Sequence, residues 1–385
     1  MHSFHFQTVP QIISGVGSIQ ELSRCCSEQH ATQILIVTDP GMIQLQLHQP
    51  VLDLLNQLNL DYQIFSQVQA DPSAALIEQA VSFAKSIQAD LVIGFGGGSA
   101  MDVAKVVALL SHPAQTQNLP DLYGIDQARG PRLPLILIPT TAGTGAEVTP
   151  IAIVTTGAST KSGIVSKSLY ADVAILDAQF SQNLPAHITA ATGIDAMVHA
   201  IEAYTSKQLK NIYSDMLAKN ALQGLNQYLP RVLAQGSDLN ARQEMLFAAM
   251  LAGQAFANAP VSAVHALAYP LGGHFHLSHG HSNALVLIEV LKFNAPAAKH
   301  LYAELMQWLD PRSSGSVDGL CDLFIDHMHA HLRHSGLVLS LRDLGIAEHM
   351  LSTLASDAML QTRLLQNNPR ELHYQDALQI YQAIY

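Results

Sequence analysis

The chain has 385 residues, 49% of them hydrophobic and only 13% charged, which excludes a disordered chain and leaves room for two sizeable domains. Its 19 Lys and Arg against 30 Asp and Glu give a net charge of −11, so nucleic acid and anionic membrane surfaces are not expected as partners. The cysteines, Cys25, Cys26 and Cys321, make no disulfide framework, the start has no basic stretch leading into an apolar one, and no apolar run approaches the roughly 18 residues of a membrane span, so a soluble cytoplasmic protein is expected.

In the first part of the chain, short β-rich apolar runs at Gln33–Val37, 62–65, 91–95 and 135–138 alternate with helical stretches. Near-continuous hydrophobicity in runs of this length predicts strands buried on both faces, hence a parallel α/β sheet. Leu76, Ala80, Phe83 and Ala84 lie at helical spacing between two of the runs, and Ile151–Thr155 and Val173–Leu176 add further strands. From about Pro185 the strand runs give way to long helical patterns such as 241–257 and 317–332, with 310–316 as a surface loop. The expected organisation is an α/β dinucleotide-binding domain over 1–184 and an all-helical domain over 185–385.

Residues 91–105 read as a strand, then Gly96, Gly97 and Gly98, then an amphipathic helix. A pyrophosphate must approach backbone N–H groups at a helix N-terminus, and side chains at those three positions would block it. The third glycine of the G-x-G-x-x-G pattern is replaced by Ser99, and Ser99 with Asp102 has the spacing of a capping box, the reading favoured for that pair taken alone. Asp39, just past the first strand run, is placed either to accept hydrogen bonds from an adenosine ribose and repel a 2′-phosphate or to sit in an Asp-Pro-Gly turn. A second loop leaves a buried strand with Thr140, Thr141, Gly143, Thr144, Gly145, Glu147 and Thr149, again rich in donors; Thr144 with Glu147 also fits a capping box.

Asp195 and His199 are four residues apart, stacked on one flank of a predicted helix whose buried stripe is Ile194, Met197, Val198 and Ile201. An exposed Asp–His pair would have the same spacing. His265 follows on a helix that Pro270 and the next glycines are expected to end, and the loop beyond carries His274, His276, His279 and His281. One carboxylate and three imidazoles suit Fe²⁺ or Zn²⁺ with a position left for a substrate oxygen, and spacing leaves the last of the three imidazoles open among those four.

These segments, taken in order with Asn367-Asn-Pro-Arg370 near the end, resemble the iron-containing (group III) alcohol dehydrogenase family, lactaldehyde reductase-like, over essentially the whole chain. The resemblance implies the dehydroquinate synthase-like fold, an α/β dinucleotide domain followed by an all-α domain, with metal and nicotinamide in a cleft. It implies the ligand set Asp195, His199, His265 and His279. It also implies NAD contacts from Asp39, Asp71, Gly96, Gly97, Gly98, Ser99, Asp102, Thr140, Thr141, Thr144, Thr149 and Lys161. Some members carry a second histidine four residues after the third ligand, where this chain has Tyr269; that leaves Tyr269 as a hydrogen-bond donor to substrate and His274 as a proton relay to be tested. The implied activity is reversible hydride transfer between NAD(H) and a small primary alcohol, or diol, and its aldehyde, in a homodimer or larger assembly. A hydroxyacid–oxoacid transhydrogenase, another metal-dependent reaction on the same scaffold, and a non-catalytic nucleotide or metal binder are the alternatives.

Overall fold

The computed structural model describes residues 3–157 and 160–385. The chain divides into two compact units. One comprises Thr8–Thr141 and Gly145–Asn183; the other comprises Leu184–Tyr385 with the chain up to Gln7 and the short Ala142–Thr144 segment. Two local contacts account for these small pieces. The Gln7 N–H and carbonyl both pair with the Asn258 amide, at 2.8 and 2.9 Å, and Gly143 lies against Thr192.

The α/β unit contains β1 (Gln11–Ser14), β2 (Gln33–Val37), β3 (Asp61–Phe65), β4 (Leu91–Gly96), β5 (Gly124–Ile125), β6 (Leu135–Pro139), β7 (Ile151–Thr155), β8 (Lys161–Val165) and β9 (Val173–Leu176). Six of them form a parallel sheet in the order β1-β9-β6-β4-β2-β3. Every residue of β4 and β6 is buried, as their unbroken apolar runs require. The chain leaves β2 toward β3 on one side and β4 toward β6 on the other, so the carboxyl ends of β2 and β4 bound a topological switch point, the place where open α/β sheets bind ligands.

A smaller sheet has the order β5-β8-β7, with β7 and β8 antiparallel. The free edge of β7 is held by the helix that follows β4, Gly98–Leu110. Asp102 accepts a hydrogen bond from the Ile153 N–H at 3.0 Å, and Lys105, one turn on, donates to the Ile151 carbonyl at 2.7 Å and to Thr149 Oγ1 at 3.2 Å. The capping-box expectation for Ser99 and Asp102 is therefore corrected. Gly97 is the N-cap of this helix, no side chain caps it, and the Asp102 carboxylate is used on the β7 edge instead. The same correction holds for Thr144 and Glu147. The 3₁₀ turn there starts from Gly145 at φ +59 without a side-chain cap.

The helical unit is built on Ala186–Thr205, Ile212–Ala234, Leu239–Asn258, Ala263–Phe275, His279–Leu309 and Val317–His334. Helix Ala186–Thr205 is buried on nearly every face, so Asp195 and His199 are core residues at 1% and 3% exposure rather than flank residues. Pro270 does not end its helix, which continues to Phe275. Burial of Ala266, Leu267, Ala268 and Leu271 around the proline stabilises the helix enough to offset the one backbone bond lost. The expected four-histidine loop shrinks accordingly. His274 is helical, His276 is the left-handed C-cap at φ +54, and His279 and His281 open the next helix. Cys25, Cys26 and Cys321 are free and buried, and no single helix among the described residues is long and apolar enough to cross a membrane.

Candidate functional site

At the switch point of the α/β unit, β4 ends in Gly96, whose φ of +149 is a conformation reserved for glycine. A Cβ there would lie 2.9 Å from Ala100 Cβ and 3.2 Å from Asp39 Oδ2, so Asp39 and the glycine loop are in contact. Asp39 also caps helix Pro40–Gln44 by accepting from the Met42 N–H at 3.2 Å, the turn reading of that residue. Thr140 is tied to the same loop by its N–H to the Gly96 carbonyl at 3.0 Å, and its buried hydroxyl has no hydrogen-bond partner among the described residues. Thr141 Oγ1 lies 3.7 Å from where a Gly97 Cβ would be. Asp39, Gly96, Gly97, Gly98, Ser99, Thr140 and Thr141 thus gather around one helix N-terminus whose first-turn N–H groups no side chain caps.

The remaining nucleotide candidates are placed differently. Lys161 donates to Asp71 Oδ1 at 2.5 Å, and Asp71, at φ +53, is further fixed by its carbonyl accepting from Thr155 Oγ1. Asp102 and Thr149 form the polar interior beneath the loops with Lys105, which is fully buried, and Glu147. Burial pushes the Glu147 carboxyl up to about 7, with its own backbone and Lys105 acting the other way. Thr144 lies in the helical unit with Ala142 and Gly143.

In the helical unit, Asp195, His199, His265 and His279 bring one ligand atom each to within 4.8 Å of one another. Three helices supply them: Ala186–Thr205 gives the first two, Ala263–Phe275 the third and His279–Leu309 the fourth. His199 Nε2 and His265 Nε2 are 3.0 Å apart, and Asp195 Oδ1 is 3.5 Å from His279 Nε2 and 3.8 Å from His265 Nε2. The His-Gly pair makes this approach possible. A Cβ on Gly280 would stand 2.1 Å from the Ala191 carbonyl oxygen, so only glycine lets the helix carrying His279 lie this close to the one carrying Asp195.

Two more residues complete the cluster, and neither was singled out as a site residue from sequence. Glu202, three residues after His199, holds His265 Nδ1 at 2.6 Å with one oxygen and takes the Ser262 hydroxyl and the Val264 N–H with the other. Asn283, four after His279, directs its amide nitrogen to Asp195 Oδ1 at 2.7 Å, His265 Nε2 at 3.2 Å and His279 Nε2 at 3.4 Å. Their sequence signal is only helical spacing from a ligand. Phe256 stacks on the His199 ring with centroids 4.3 Å apart and walls off that side.

The electrostatics fit a cation. Burial pushes Asp195 up, but His199, His279, His265 and the Asn283 amide more than offset it, and its carboxyl lies below its ordinary value. Burial lowers His199 to about 3 despite the pull of Asp195, so its ring is neutral at pH 7, as a ligand must be. The Gly143 backbone acts on that ring in the raising sense, and the buried Nδ1 has no hydrogen-bond partner among the described residues. Because the Glu202 carboxylate keeps the proton on His265 Nδ1, Nε2 of that ring presents a lone pair toward His199. A carboxylate oxygen and imidazole nitrogens converging without enough protons between them suit a divalent first-row ion.

Of the other candidates, Tyr269 is brought beside His279, with ring centroids 6.2 Å apart. His274 is not brought into the cluster. It lies nine residues beyond His265, about 13 Å along the helix, with Nε2 held by Asp357 at 2.6 Å, which argues against a relay. His276 is exposed, and His281 pairs with the Val338 carbonyl at 2.6 Å.

The iron-containing alcohol dehydrogenase family model matches residues 10–178, and the Fe-containing alcohol dehydrogenase C-terminal model matches 189–385. Long-chain-alcohol dehydrogenase 1 of Geobacillus thermodenitrificans is 38% identical over 96% of this chain and 94% of its own length. The NAD-dependent methanol dehydrogenase of Bacillus methanolicus is 32% identical over 98% of each. The crystal structure of a 1,3-propanediol oxidoreductase superposes over all of both chains with a TM-score of 0.95 at 30% identity. The chain belongs to the iron-containing alcohol dehydrogenase family. It is an oxidoreductase of that class.

Proposed function

We propose that this enzyme interconverts a small primary alcohol or diol and its aldehyde, with NAD(H) bound by the α/β unit and Fe²⁺ or Zn²⁺ held by Asp195, His199, His265 and His279. The observation that carries the reading is the convergence of those four ligand atoms within 4.8 Å, three of their residues nearly fully buried. Bound there, the ion supplies Lewis-acid polarisation of the substrate oxygen, and NAD(H) supplies the hydride carrier. Glu202 sets the tautomer of His265 and Asn283 orients Asp195, so the donor atoms are fixed before any ion arrives. Phe256 against His199 keeps water off one face.

On the nucleotide side, the open N–H groups at Gly98 and Ser99 receive the pyrophosphate, with Thr140 and Thr141 flanking. The Asp39 carboxylate takes the adenosine ribose and repels a 2′-phosphate by like charge, which selects NAD over NADP. Asp102 and Thr149 act through Lys105, holding the second loop in register, and Asp71 with Lys161 does the same further along β8. The relative named for methanol and the neighbour named for 1,3-propanediol support a small alcohol or diol. The enzyme works in the cytoplasm as a homodimer or larger homo-oligomer.

The test is metal-stripped protein reloaded anaerobically with Fe²⁺ or with Zn²⁺ and assayed by NADH oxidation against short aldehydes, lactaldehyde and oxoacids. Aldehyde reduction restored by one ion and absent without it is the expected result. Full turnover by the stripped enzyme, or none with either ion, overturns the assignment.

A further inference from the structure

A second set of imidazoles converges away from the Asp195 cluster. His327 and His331 are one turn apart on helix Val317–His334, their ring centroids 5.1 Å apart and nearly perpendicular. Both Nε2 atoms end on one atom, Asn226 Oδ1 of helix Ile212–Ala234, at 2.5 and 2.8 Å. All three side chains are half-buried. The amide oxygen has two lone pairs and accepts from both rings, so two nitrogens of one helix converge on one oxygen of another.

The same donors meet the requirements of a metal site. Burial lowers His331 to about 4, with His327 and His334 acting in the same direction. It lowers His327 as well, against the pull of Asp310, so both rings are neutral at pH 7 and hold a lone pair for an ion. Neutral rings bind by shifting the ring proton from Nε2 to Nδ1, with no net proton released. Adjacent ligand atoms around a tetrahedral ion stand about 3.3 Å apart for bonds of about 2.0–2.1 Å. The two Nε2···Oδ1 contacts must therefore open by about half an ångström to one ångström, a movement small side-chain rotations supply. In the Asp195 cluster the corresponding Nε2···Nε2 separation is 3.0 Å.

We propose that Asn226, His327 and His331 form a second divalent-metal site that clamps helix Val317–His334 to helix Ile212–Ala234. Two imidazoles and one amide oxygen select ions that prefer nitrogen, namely Zn²⁺, Ni²⁺ or Cu²⁺, over Mg²⁺ or Ca²⁺. The site touches neither substrate nor cofactor. It acts on the stability of the helical unit, and it takes up metal independently of the catalytic ion.

The probe is Zn²⁺ itself, counted by elemental analysis after dialysis of the stripped and reloaded enzyme. The wild-type chain is expected to retain about two equivalents, His327→Ala/His331→Ala about one with turnover preserved, and His199→Ala/His265→Ala about one with turnover lost. Should the histidine double variant fail to fold, Asn226→Asp reads the site instead. A carboxylate in place of the amide is expected to tighten the second equivalent about tenfold. Cu²⁺ added at one equivalent to metal-free His199→Ala/His265→Ala gives a second readout, a nitrogen-coupled electron paramagnetic resonance spectrum that adding His331→Ala abolishes. One equivalent in the wild type, two in the folded histidine double variant, or an unchanged second affinity in Asn226→Asp overturns the proposal.

Discussion

Gly280→Ala separates two opposed effects whose sizes the structure sets. Gly280 is the second residue of helix His279–Leu309. In a helix, Ala is favoured over Gly by about 0.5–1 kcal/mol, so a position with free space would gain stability from the change. Here the new Cβ meets the Ala191 carbonyl oxygen at 2.1 Å and its carbon at 2.6 Å, about 0.9 Å inside the closest distance real Cβ atoms tolerate. The obstacle is helix backbone, which no rotamer relieves, so one helix must move off the other by roughly that amount. Overpacking of this kind costs about 1–3 kcal/mol, more than the propensity gained. The adjoining His279 moves with its helix, while metal–ligand bonds tolerate only about 0.2 Å.

The expected result is a folded variant whose metal-free form is destabilised by roughly 1–2 kcal/mol in urea titration. Its affinity for the catalytic ion, measured by competition with a chelator, is expected to fall at least about tenfold. A variant at least as stable as wild type that binds the ion with unchanged affinity would refute the close-approach argument, because the propensity term alone would then be operating.

Glu202→Gln keeps the shape but loses the carboxylate that fixes the His265 tautomer, so metal affinity should fall about 10–100-fold in the same competition assay. Asp39→Gly should raise NADP use relative to NAD in kcat/KM, while loss of the Met42 cap, with glycine itself a tolerated N-cap, costs only about a few tenths of a kcal/mol in thermal unfolding. Glu147→Gln should gain on wild type as pH rises. The buried carboxyl has its folded-state value lifted to about 7 from 4.5, so the stability of the wild type falls across that interval because the unfolded chain ionises there while the folded one still holds the proton. Denaturation of metal-free protein at pH 5 and 7.5 reads the difference, and parallel pH profiles would count against it.

The strands that sequence revealed are the apolar runs. Burial on both faces holds for β4, β6 and β9 and nearly for β2, whereas β3, expected to be buried on both faces, is a half-exposed edge strand and β7 alternates. β2, β4 and β6 are nearly continuous apolar runs because helices cover the sheet, whereas β1 is a four-residue edge strand, β5 has two exposed residues and β8 begins Lys-Ser-Gly. Such strands are made by their partners, and periodicity cannot announce them. The two capping boxes misled for a related reason. Ser-x-x-Asp and Thr-x-x-Glu satisfy a pattern of spacing, but β7 lies within reach of Asp102 and gives its carboxylate a better use. Pro270 likewise marks a helix end only where packing does not hold the next turn in place.

For the candidate site, the helical period delivers pairs without further instruction. Asp195 with His199, His279 with Asn283, and His327 with His331 are each four apart and each share a helix face. Whether a pair has a purpose depends on what a second helix brings to it. His265 with its Glu202 brace joins the first two pairs in the candidate metal cluster, and Asn226 meets the third. That second element is positioned by the close contact at Gly280 and by core packing, interactions distant in sequence and carrying no period. Spacing therefore exposes the halves of such a site, and tertiary packing decides which halves meet.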